Sequence, residues 1–398
     1  MRSCARVLAR LAALVSNTNT SISTEESDGF GLALLDFLTE LASRQTVPHV
    51  LSISLGSLSA FSCDLLCAKA AETGEVSLAE CNAYLQRQRQ VCMYQSEAQV
   101  ARINHALMAL GLRGVTVFGS SGDGGSHWSF ERFEGWGKVP RTLNKVGCRY
   151  QYPVFPTTSP YILSVGGTDW QAFDPTQPKM WSGSGGGFSW GVWPRLCARL
   201  LPTRTLASQR AARGVESPSV SHVPSAARPS RALARQVSRA GSPSAPAPHH
   251  RIPSNPCAAE FAAPTHQQAA VKAYVSGATA ALPPSDSYNA SGRAYPDLSA
   301  VAVEGTSQSS PLSAGIFSLI TDARLNAGLK PLGALGPRLY HVASAFPGAA
   351  FEDVQIGNTK TSCDNGFPAT KGWDAATGWG RPVWPGLLRY FGSDDWLG

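Results

Sequence analysis

Short apolar runs alternate with an amphipathic helical segment in the N-terminal half of the chain, and this alternation constrains the fold more than any other feature. The runs "HVLSISLG" (residues 49–56), "GVTVFG" (residues 114–119) and "YILSVGGT" (residues 161–168) are typical of buried strands. Between the first two lies "SEAQVARINHALMALGL" (residues 96–112), which predicts an amphipathic helix with Ser96 as its N-cap. Strand, helix and strand in alternation predict an α/β fold, with a mostly parallel sheet and helices on its faces.

Polar residues follow two of these strands, at the edge where parallel sheets carry their sites. The stretch "SSGDGG" places Asp123 directly after a core strand. Further along, "SGSGGGFS" (residues 182–189) contains Gly185, Gly186 and Gly187. An extended glycine backbone of this kind can lie beside a bound peptide, so we predict these three glycines to be substrate-binding.

The stretch "GTSQSSP" (residues 305–311) packs hydroxyl groups ahead of an apolar segment. Two interpretations of Ser307 stand. It caps the following helix, in which Pro311 suits the first position, or it is a nucleophile. A helix N-terminus favours a developing alkoxide, although a nucleophile also needs a base. A second serine, Ser189, lies in "GFSWG", but glycines rather than a strand precede this G-x-S-x-G match, so we interpret it as chance.

Two acids lie among glycines near the C-terminus, Asp353 in "FEDV" and Asp374 in "KGWDAATGWG". Two carboxylates combined with backbone carbonyls form the kind of ligand set that calcium prefers. The alternative is that both acids form Asx-turns.

A basic segment interrupts the chain. Residues 195–251 hold ten arginines, no lysine and one acid, a net charge of +9, whereas the whole chain carries +7 and the remainder therefore −2. Ser, Pro, Ala and Arg dominate to about residue 264, a composition that buries too little apolar surface to offset the entropy of ordering. We predict a disordered insert over residues 195–264, between two parts of one domain at residues 1–194 and 265–398.

Four of the nine cysteines lie close together: Cys63, Cys67, Cys81 and Cys92. Their spacing differs from paired zinc-ligand patterns, so we predict two local disulfides and an oxidising compartment, with buried free thiols as the alternative. The Arg-rich N-terminus fits a transit peptide or an amphipathic helix. No run of 18 apolar residues predicts a membrane span.

Seven stretches together resemble the sedolisin family of serine-carboxyl peptidases, and most closely its lysosomal tripeptidyl-peptidase branch. They run from about residue 49 to the C-terminus. The stretches are "VPHVLSISLG", "GVTVFGSSGDGG", "VFPTTSPYILSVGGT", "GSGGGFS", "NASGRAYPD", "GTSQSSP" and "GWDAATGWGRP".

The resemblance implies a subtilisin-like α/β fold and a tripeptidyl-peptidase type of activity at acidic pH, in a lysosome, another acidic secretory or vacuolar compartment, or outside the cell. It makes Ser307 the nucleophile and Asp123 the protonated acid of the oxyanion hole. It also implies a Ca²⁺ site. The implied calcium ligands are the acids Asp353 and Asp374 and the carbonyls of Val354 and Gly372, with a further carbonyl at Thr370.

The chain departs from the family pattern where the base is expected. In the family a glutamate, oriented by an aspartate four residues later on the same helix face, takes the proton of the serine. This pair should lie upstream of the "ISTEESDGF" region, and here Glu25 is the first acid. The family's signal and pro-segment are absent too, and Glu304 replaces a usual serine. We therefore expect the chain as written to be incomplete and inactive.

Other interpretations remain. His127, four residues after Asp123, is a candidate replacement base, although a lone histidine is more often structural. The chain is a peptidase, a non-catalytic family member that binds peptides or calcium, or a polyanion binder acting through its basic insert. For the first two, we expect peptide or protein partners, no nucleic acid and a monomer.

Overall fold

The computed structural model describes residues 29–87, 92, 97–127, 137–169, 177–190, 261–279 and 281–395. The N-terminal residues 1–28 and the whole basic segment, residues 195–251, lie outside this part of the chain. The disorder predicted for residues 195–264 and the domain boundaries drawn around it therefore stay predictions.

Four parallel strands form the central sheet. They are β1 (Val50–Ile53), β3 (Thr116–Ser120), β5 (Leu163–Asp169) and β8 (Leu298–Ala302), in the order β1-β3-β5-β8. Leu51 lies opposite Val117, and Val165 lies opposite Leu298. β1 lies within the apolar run that predicts it, β3 and β5 each end one residue beyond theirs, and β8 precedes the stretch that contains Ser307.

Six two-residue strands form three small antiparallel ladders. They are β2 (Ser57–Leu58) with β4 (Val154–Phe155), β6 (Gly187–Phe188) with β7 (Ala294–Tyr295), and β9 (Phe351–Glu352) with β10 (Arg381–Pro382).

Nine helices lie in the described part of the chain. They are α1 (Gly29–Ser43), α2 (Ala60–Glu72), α3 (Leu78–Arg87), α4 (Glu97–Leu112), α5 (Lys138–Gly147), α6 (Thr265–Gly277), α7 (Thr306–Asn326), α8 (Gly336–Ala345) and α9 (Trp384–Gly392). None of them is both long and apolar enough to cross a membrane.

Helices cover both faces of the sheet because successive strand residues point to opposite sides. In β3, Val117 joins a core with α1 and α4, whereas Phe118 joins a core with α6 to α9. Phe118 packs on Phe317 of α7, with ring centroids 5.3 Å apart. The predicted α/β class, a parallel sheet with helices on both faces, is confirmed.

Three disulfides link described cysteines. Cys67–Cys81 joins α2 to α3, and Cys63–Cys92 joins α2 to the chain beyond the end of α3, which confirms the two predicted local bonds. A third, Cys148–Cys363, spans 215 residues and joins the end of α5 to the C-terminal region. The spacing of the cysteines in the sequence did not predict this third bond.

Candidate active site

Asp123 lies just beyond the end of β3, in a turn that requires glycine. Gly122 has a φ of +105°, in the region that disfavours residues with a Cβ atom. The Ser121 N–H donates to the Val165 carbonyl of the adjacent strand and anchors the start of the turn. The Asp123 side chain is thereby held at the carboxyl edge of the sheet, where the sequence predicted it.

The carboxyl of Asp123 caps the N-terminus of α7 from a distant part of the chain. Its Oδ1 accepts two hydrogen bonds from Thr306, one from the backbone N–H at 2.7 Å and one from the hydroxyl at 2.8 Å. Gly305 is the N-cap residue and has no side chain to do this. A Cβ at Gly305 would lie 3.1 Å from Asp123 Oδ2, so the glycine lets the carboxyl approach closely.

Ser307 is the second residue of α7 and is exposed. The interpretation of Ser307 as the helix cap is therefore wrong, because Gly305 occupies that position. Its Oγ donates to the Ser54 carbonyl at 3.2 Å, and Ser54 Oγ donates to the Ser307 carbonyl at 2.8 Å. The Ser307 carbonyl has no partner within the helix, because Pro311, four residues later, has no N–H to donate, and it is therefore available to Ser54.

These groups border one open cleft with a volume of about 150 Å³. Its lining includes Ser54, Gly122, Asp123, His127, Tyr152 and Ser307. A smaller hollow beside the buried Arg293–Asp297 ion pair shares no lining residue with it. The cleft therefore brings the predicted nucleophile and the predicted oxyanion acid together.

No base contacts Ser307 among the described residues, since its hydroxyl contacts only the Ser54 carbonyl. His127 lines the same cleft, but its Nδ1 lies 2.9 Å from Ser126 Oγ and it makes no hydrogen bond to Ser307. Burial lowers the pKa of His127 to about 4. The structure thus gives no support to His127 as a replacement base.

The glycine run lies buried behind the Asp123 turn rather than in the cleft lining. The Gly185 N–H donates to the Gly122 carbonyl at 2.7 Å. A Cβ at Gly185 would lie 2.2 Å from the Ser121 carbonyl oxygen, and one at Gly186 would lie 2.0 Å from that of Ala375. Gly187 begins β6. These glycines are required for close backbone packing beneath the site.

The rival Ser189 is fully buried and follows β6 rather than a sheet strand that leads into a helix. It does not have the geometry of a nucleophile elbow.

Asp374 is fully buried and saturated with donors. Its carboxylate accepts from the backbone N–H groups of Thr370, Ala376 and Thr377 and from the Thr377 hydroxyl, at 2.7–3.1 Å. Burial raises its pKa to about 8. No ion pair reaches it within the described chain, and the raised pKa favours its neutral, protonated form.

Asp353 lies on the same loop system. Its Oδ2 accepts from the Gly372 N–H at 2.9 Å, while its Oδ1 is buried without a hydrogen-bond partner. Burial also raises the pKa of Asp353. The Thr377 hydroxyl contacts both the Val354 carbonyl and Asp374, which links the two segments.

This donor set fits a hard cation. It supplies the buried carboxyl of Asp374 and the half-buried carboxyl of Asp353, whose Oδ1 is unpartnered, next to glycine-rich backbone in which Gly372 has a φ of +83°. No group of three or more His, Cys, Asp or Glu side chains suited to a metal occurs among the described residues, so any cation here would depend on carbonyl oxygens.

Sequence reasoning missed two residues of the site. Thr306 fixes Asp123, and Ser54 holds Ser307. Thr306 lies in the motif "GTS", and its position at the start of the predicted helix was the available signal for its role. Ser54 follows β1, and its role depends on a contact 253 residues away in sequence.

Tripeptidyl-peptidase 1 of Bos taurus is 32% identical over 317 residues, which cover 74% of this chain and 40% of the relative. Tripeptidyl-peptidase 1 of Homo sapiens is 31% identical over 316 residues, with the same shares. The chain thus spans about 40% of the length of the curated relatives it matches. Among solved structures, Pseudomonas sedolisin, a serine-carboxyl proteinase, aligns with a TM-score of 0.48 and 18% identity, covering 93% of this chain and 72% of that one.

No protein-family model matches the chain. The similarity to tripeptidyl-peptidase 1 confirms the resemblance that the motifs indicate.

Proposed function

We propose, from its relation to tripeptidyl-peptidase 1, that this chain carries the acyl-transfer centre of a serine-carboxyl peptidase, with Ser307 as nucleophile and Asp123 as oxyanion-hole acid. The observation that carries the proposal is the pair of hydrogen bonds that Thr306 donates to Asp123 Oδ1. Because Thr306 directly precedes Ser307 in the chain, these bonds hold the carboxyl of Asp123 close to Ser307.

The proposed chemistry follows from which carboxyl oxygen of Asp123 already accepts hydrogen bonds. Oδ1 of Asp123 accepts two donors, so Oδ2 is the oxygen left to carry a proton. When Ser307 Oγ attacks a peptide carbonyl, a protonated Oδ2 donates a hydrogen bond to the oxygen that becomes negative. Acidic conditions suit this role, because only the protonated carboxyl can donate.

The proton of Ser307 needs an acceptor, and none of the described residues provides one besides a backbone carbonyl. In the proposed reaction the Glu/Asp relay of the family would serve as the base. We expect the 398-residue chain by itself to be inactive for this reason.

Peptides and proteins are the proposed substrates, with release of tripeptides as the proposed mode. The open cleft that Ser307 and Asp123 line is the proposed binding place of the peptide. Three disulfides support an oxidising compartment, and we propose a lysosome, another acidic vacuolar or secretory compartment, or secretion.

Calcium is the proposed resident cation near the C-terminus. Asp353 and Asp374 would supply the charge, and the carbonyls of Val354, Thr370 and Gly372 the neutral oxygens. A bound ion would neutralise the buried carboxylate of Asp374 and the half-buried carboxylate of Asp353 and thereby stabilise the fold. Because Ala375, one residue after Asp374, contacts the backbone of Gly186, the same ion would also steady the glycine run that supports the Asp123 turn.

Gly185, Gly186 and Gly187 would then serve substrate binding indirectly. The bond from Gly185 to Gly122 keeps the Asp123 turn in place while the cleft stays open.

A cleavage assay tests the proposal. Tripeptide amides with a fluorogenic leaving group are incubated at acidic pH with the chain alone and with a fusion that places a helix carrying an E-x-x-x-D pair before it. We expect no measurable cleavage by the chain alone, cleavage by the fusion, and loss of that cleavage in Ser307→Ala. Cleavage by the fusion that survives Ser307→Ala would overturn the proposal.

A non-catalytic peptide-binding protein is the second candidate. The observation in its favour is that Ser307 Oγ donates to a backbone carbonyl instead of a base. A fusion that folds and binds peptides but cleaves none would favour this candidate.

A further inference from the structure

The outer side of α7 is apolar, although it faces away from the core. Leu312 and Leu319 are each 44% exposed, and Ile316 between them is half-buried. A Cβ added at Gly315 would meet no atom within 4 Å. Together with Ala323, the three larger residues recur at intervals of four, three and four, which places them on one side of the helix. We call these five residues the α7 stripe.

The α7 stripe predicts a helical partner. The opposite side of α7 already packs into the core, through Phe317 and Ile320 among others, and both of these are fully buried. A helix that is apolar on both sides is normally covered on both sides. Leucines spaced by four and three residues, next to a glycine that allows another backbone to approach, form a surface that suits the ridges of a second helix.

The complementary pattern occurs in "ARVLARLAALVS" (residues 5–16), which lies outside the described part of the chain. Five large apolar residues of this segment share one side of a helix drawn on its sequence: Val7, Leu8, Leu11, Leu14 and Val15. Arg6 and Arg10 fall outside that side. The segment therefore presents one apolar side, of the kind that the α7 stripe lacks as a partner.

Charge supports the same match. Asp322 follows Leu319 by three residues and so borders the α7 stripe. Its carboxylate accepts a hydrogen bond from Asn326 at 3.2 Å but has no salt-bridge partner within the described chain. Arg6 and Arg10, beside the apolar side of the N-terminal segment, carry the charge that would pair with Asp322.

The connection to α1 is long enough for this docking. α1 begins at Gly29 and packs on one face of the sheet, whereas α7 packs on the other. A connection between the faces can pass β1, the edge strand of the described sheet, and α7 lies against β1 because Ser52 Oγ is 2.9 Å from Ser310 Oγ. Residues 17–28 reach about 40 Å when extended, which exceeds the roughly 20 Å of two packing layers.

We propose that residues 5–16 dock as an amphipathic helix on the α7 stripe of the same chain. Docking removes Leu312 and Leu319 from water and gives the Arg-rich N-terminus a place in the fold. The proposal is independent of the peptidase chemistry. A second copy of the chain is the rival occupant of the α7 stripe, and the experiment separates the two.

Photo-crosslinking within the full chain tests the docking without a choice of helix register. In Leu11→benzoylphenylalanine, irradiation and tryptic mapping should join residue 11 to the peptide of residues 294–324, which contains the α7 stripe. The product should run as a monomer on a denaturing gel. Arg10→benzoylphenylalanine is the matched control on the polar side, and it should not give this product.

Thiol labelling provides a second measurement. Leu319→Cys is prepared in a background without the cysteines that lie outside the described disulfides, namely Cys4, Cys197 and Cys257. Adding Leu11→Asp should raise the rate at which a maleimide modifies residue 319 by roughly tenfold, because the charge opposes docking of an apolar side. Arg10→Asp, which introduces the same residue off that side, should change the rate much less. Each variant should keep its cooperative melting transition.

Four results would overturn the proposal. They are a crosslinked dimer, which would assign the α7 stripe to a second copy, a crosslink from residue 11 only to other peptides, an equal product from the control at residue 10, and a labelling rate that Leu11→Asp leaves unchanged. None of these results bears on the roles proposed for Ser307 and Asp123.

Discussion

Replacing Asp374 with asparagine should weaken the fold and remove its stabilisation by calcium. The carboxylate accepts three backbone N–H bonds and one hydroxyl bond, using both oxygens. Asparagine keeps one of those oxygens, so its NH₂ group must face at least one buried N–H. An unsatisfied buried donor costs about 1–3 kcal/mol, and this is the expected loss of unfolding free energy in the presence of a chelator.

Calcium should widen that difference. An ion that binds only the folded state at a hundred times its Kd adds about 2.7 kcal/mol to the wild-type chain. Asp374→Asn lacks the charge, so the two chains should then differ by roughly 4–6 kcal/mol. Because burial raises the pKa of Asp374 to about 8, calcium must displace a proton, and its effect should grow as pH rises toward 8.

Urea unfolding, followed by the fluorescence of the neighbouring buried Trp373, measures both quantities. Asp364→Asn is the matched control, because it makes the same chemical change at an exposed site in the same region. Equal calcium shifts in the wild type and Asp374→Asn, or no shift in the wild type, would refute the assignment of the site.

Three further predictions concern the support of the cleft. Burial lowers the pKa of His127 from an ordinary value near 6.5 to about 4, so the free energy of unfolding should fall as pH decreases between these values. His127→Phe should remove about 3 kcal/mol of this pH dependence, and an unchanged profile of stability against pH would contradict the burial of a neutral imidazole. Gly185→Ala drives a Cβ into the Ser121 carbonyl and should lower the unfolding free energy by about 1–3 kcal/mol in urea, whereas a neutral effect would refute the packing. Replacing Cys148 and Cys363 by serine should cost about 2–5 kcal/mol, and a melting temperature equal to that of the wild type would count against a structural role for the bond.

The local hydrophobic pattern of the sequence predicted much of the central sheet and the helix α4. The strand β1 falls within an apolar run, β3 and β5 begin in theirs and end one residue later, and α4 falls within an amphipathic segment, because buried faces impose their period on the sequence. Asp123 and Ser307 were predicted from motifs, and the structure places both in one cleft. The α/β class followed from the order of these elements.

Contacts between distant segments escaped prediction. Pro311 suggested a helix starting near itself, but α7 begins at Thr306 because Asp123, 183 residues earlier, caps it. The glycine run suggested a surface for peptides, but it packs against backbone from two other segments. Local sequence carries no information about such partners, which the fold alone brings together.

An acyl-transfer centre at Ser307 and Asp123 is tested most directly by a tripeptide aldehyde labelled with ¹³C at its carbonyl carbon. Addition of the Ser307 O–H across the carbonyl gives a hemiacetal, with the hydroxyl proton ending on the former aldehyde oxygen. This equilibrium needs no separate base, so the chain can be tested as it stands. We predict a hemiacetal carbon signal with the wild type at acidic pH, a weaker one with Asp123→Ala, and none with Ser307→Ala. A signal that persists in Ser307→Ala, or its absence from a wild-type chain that binds the peptide, would contradict the assignment.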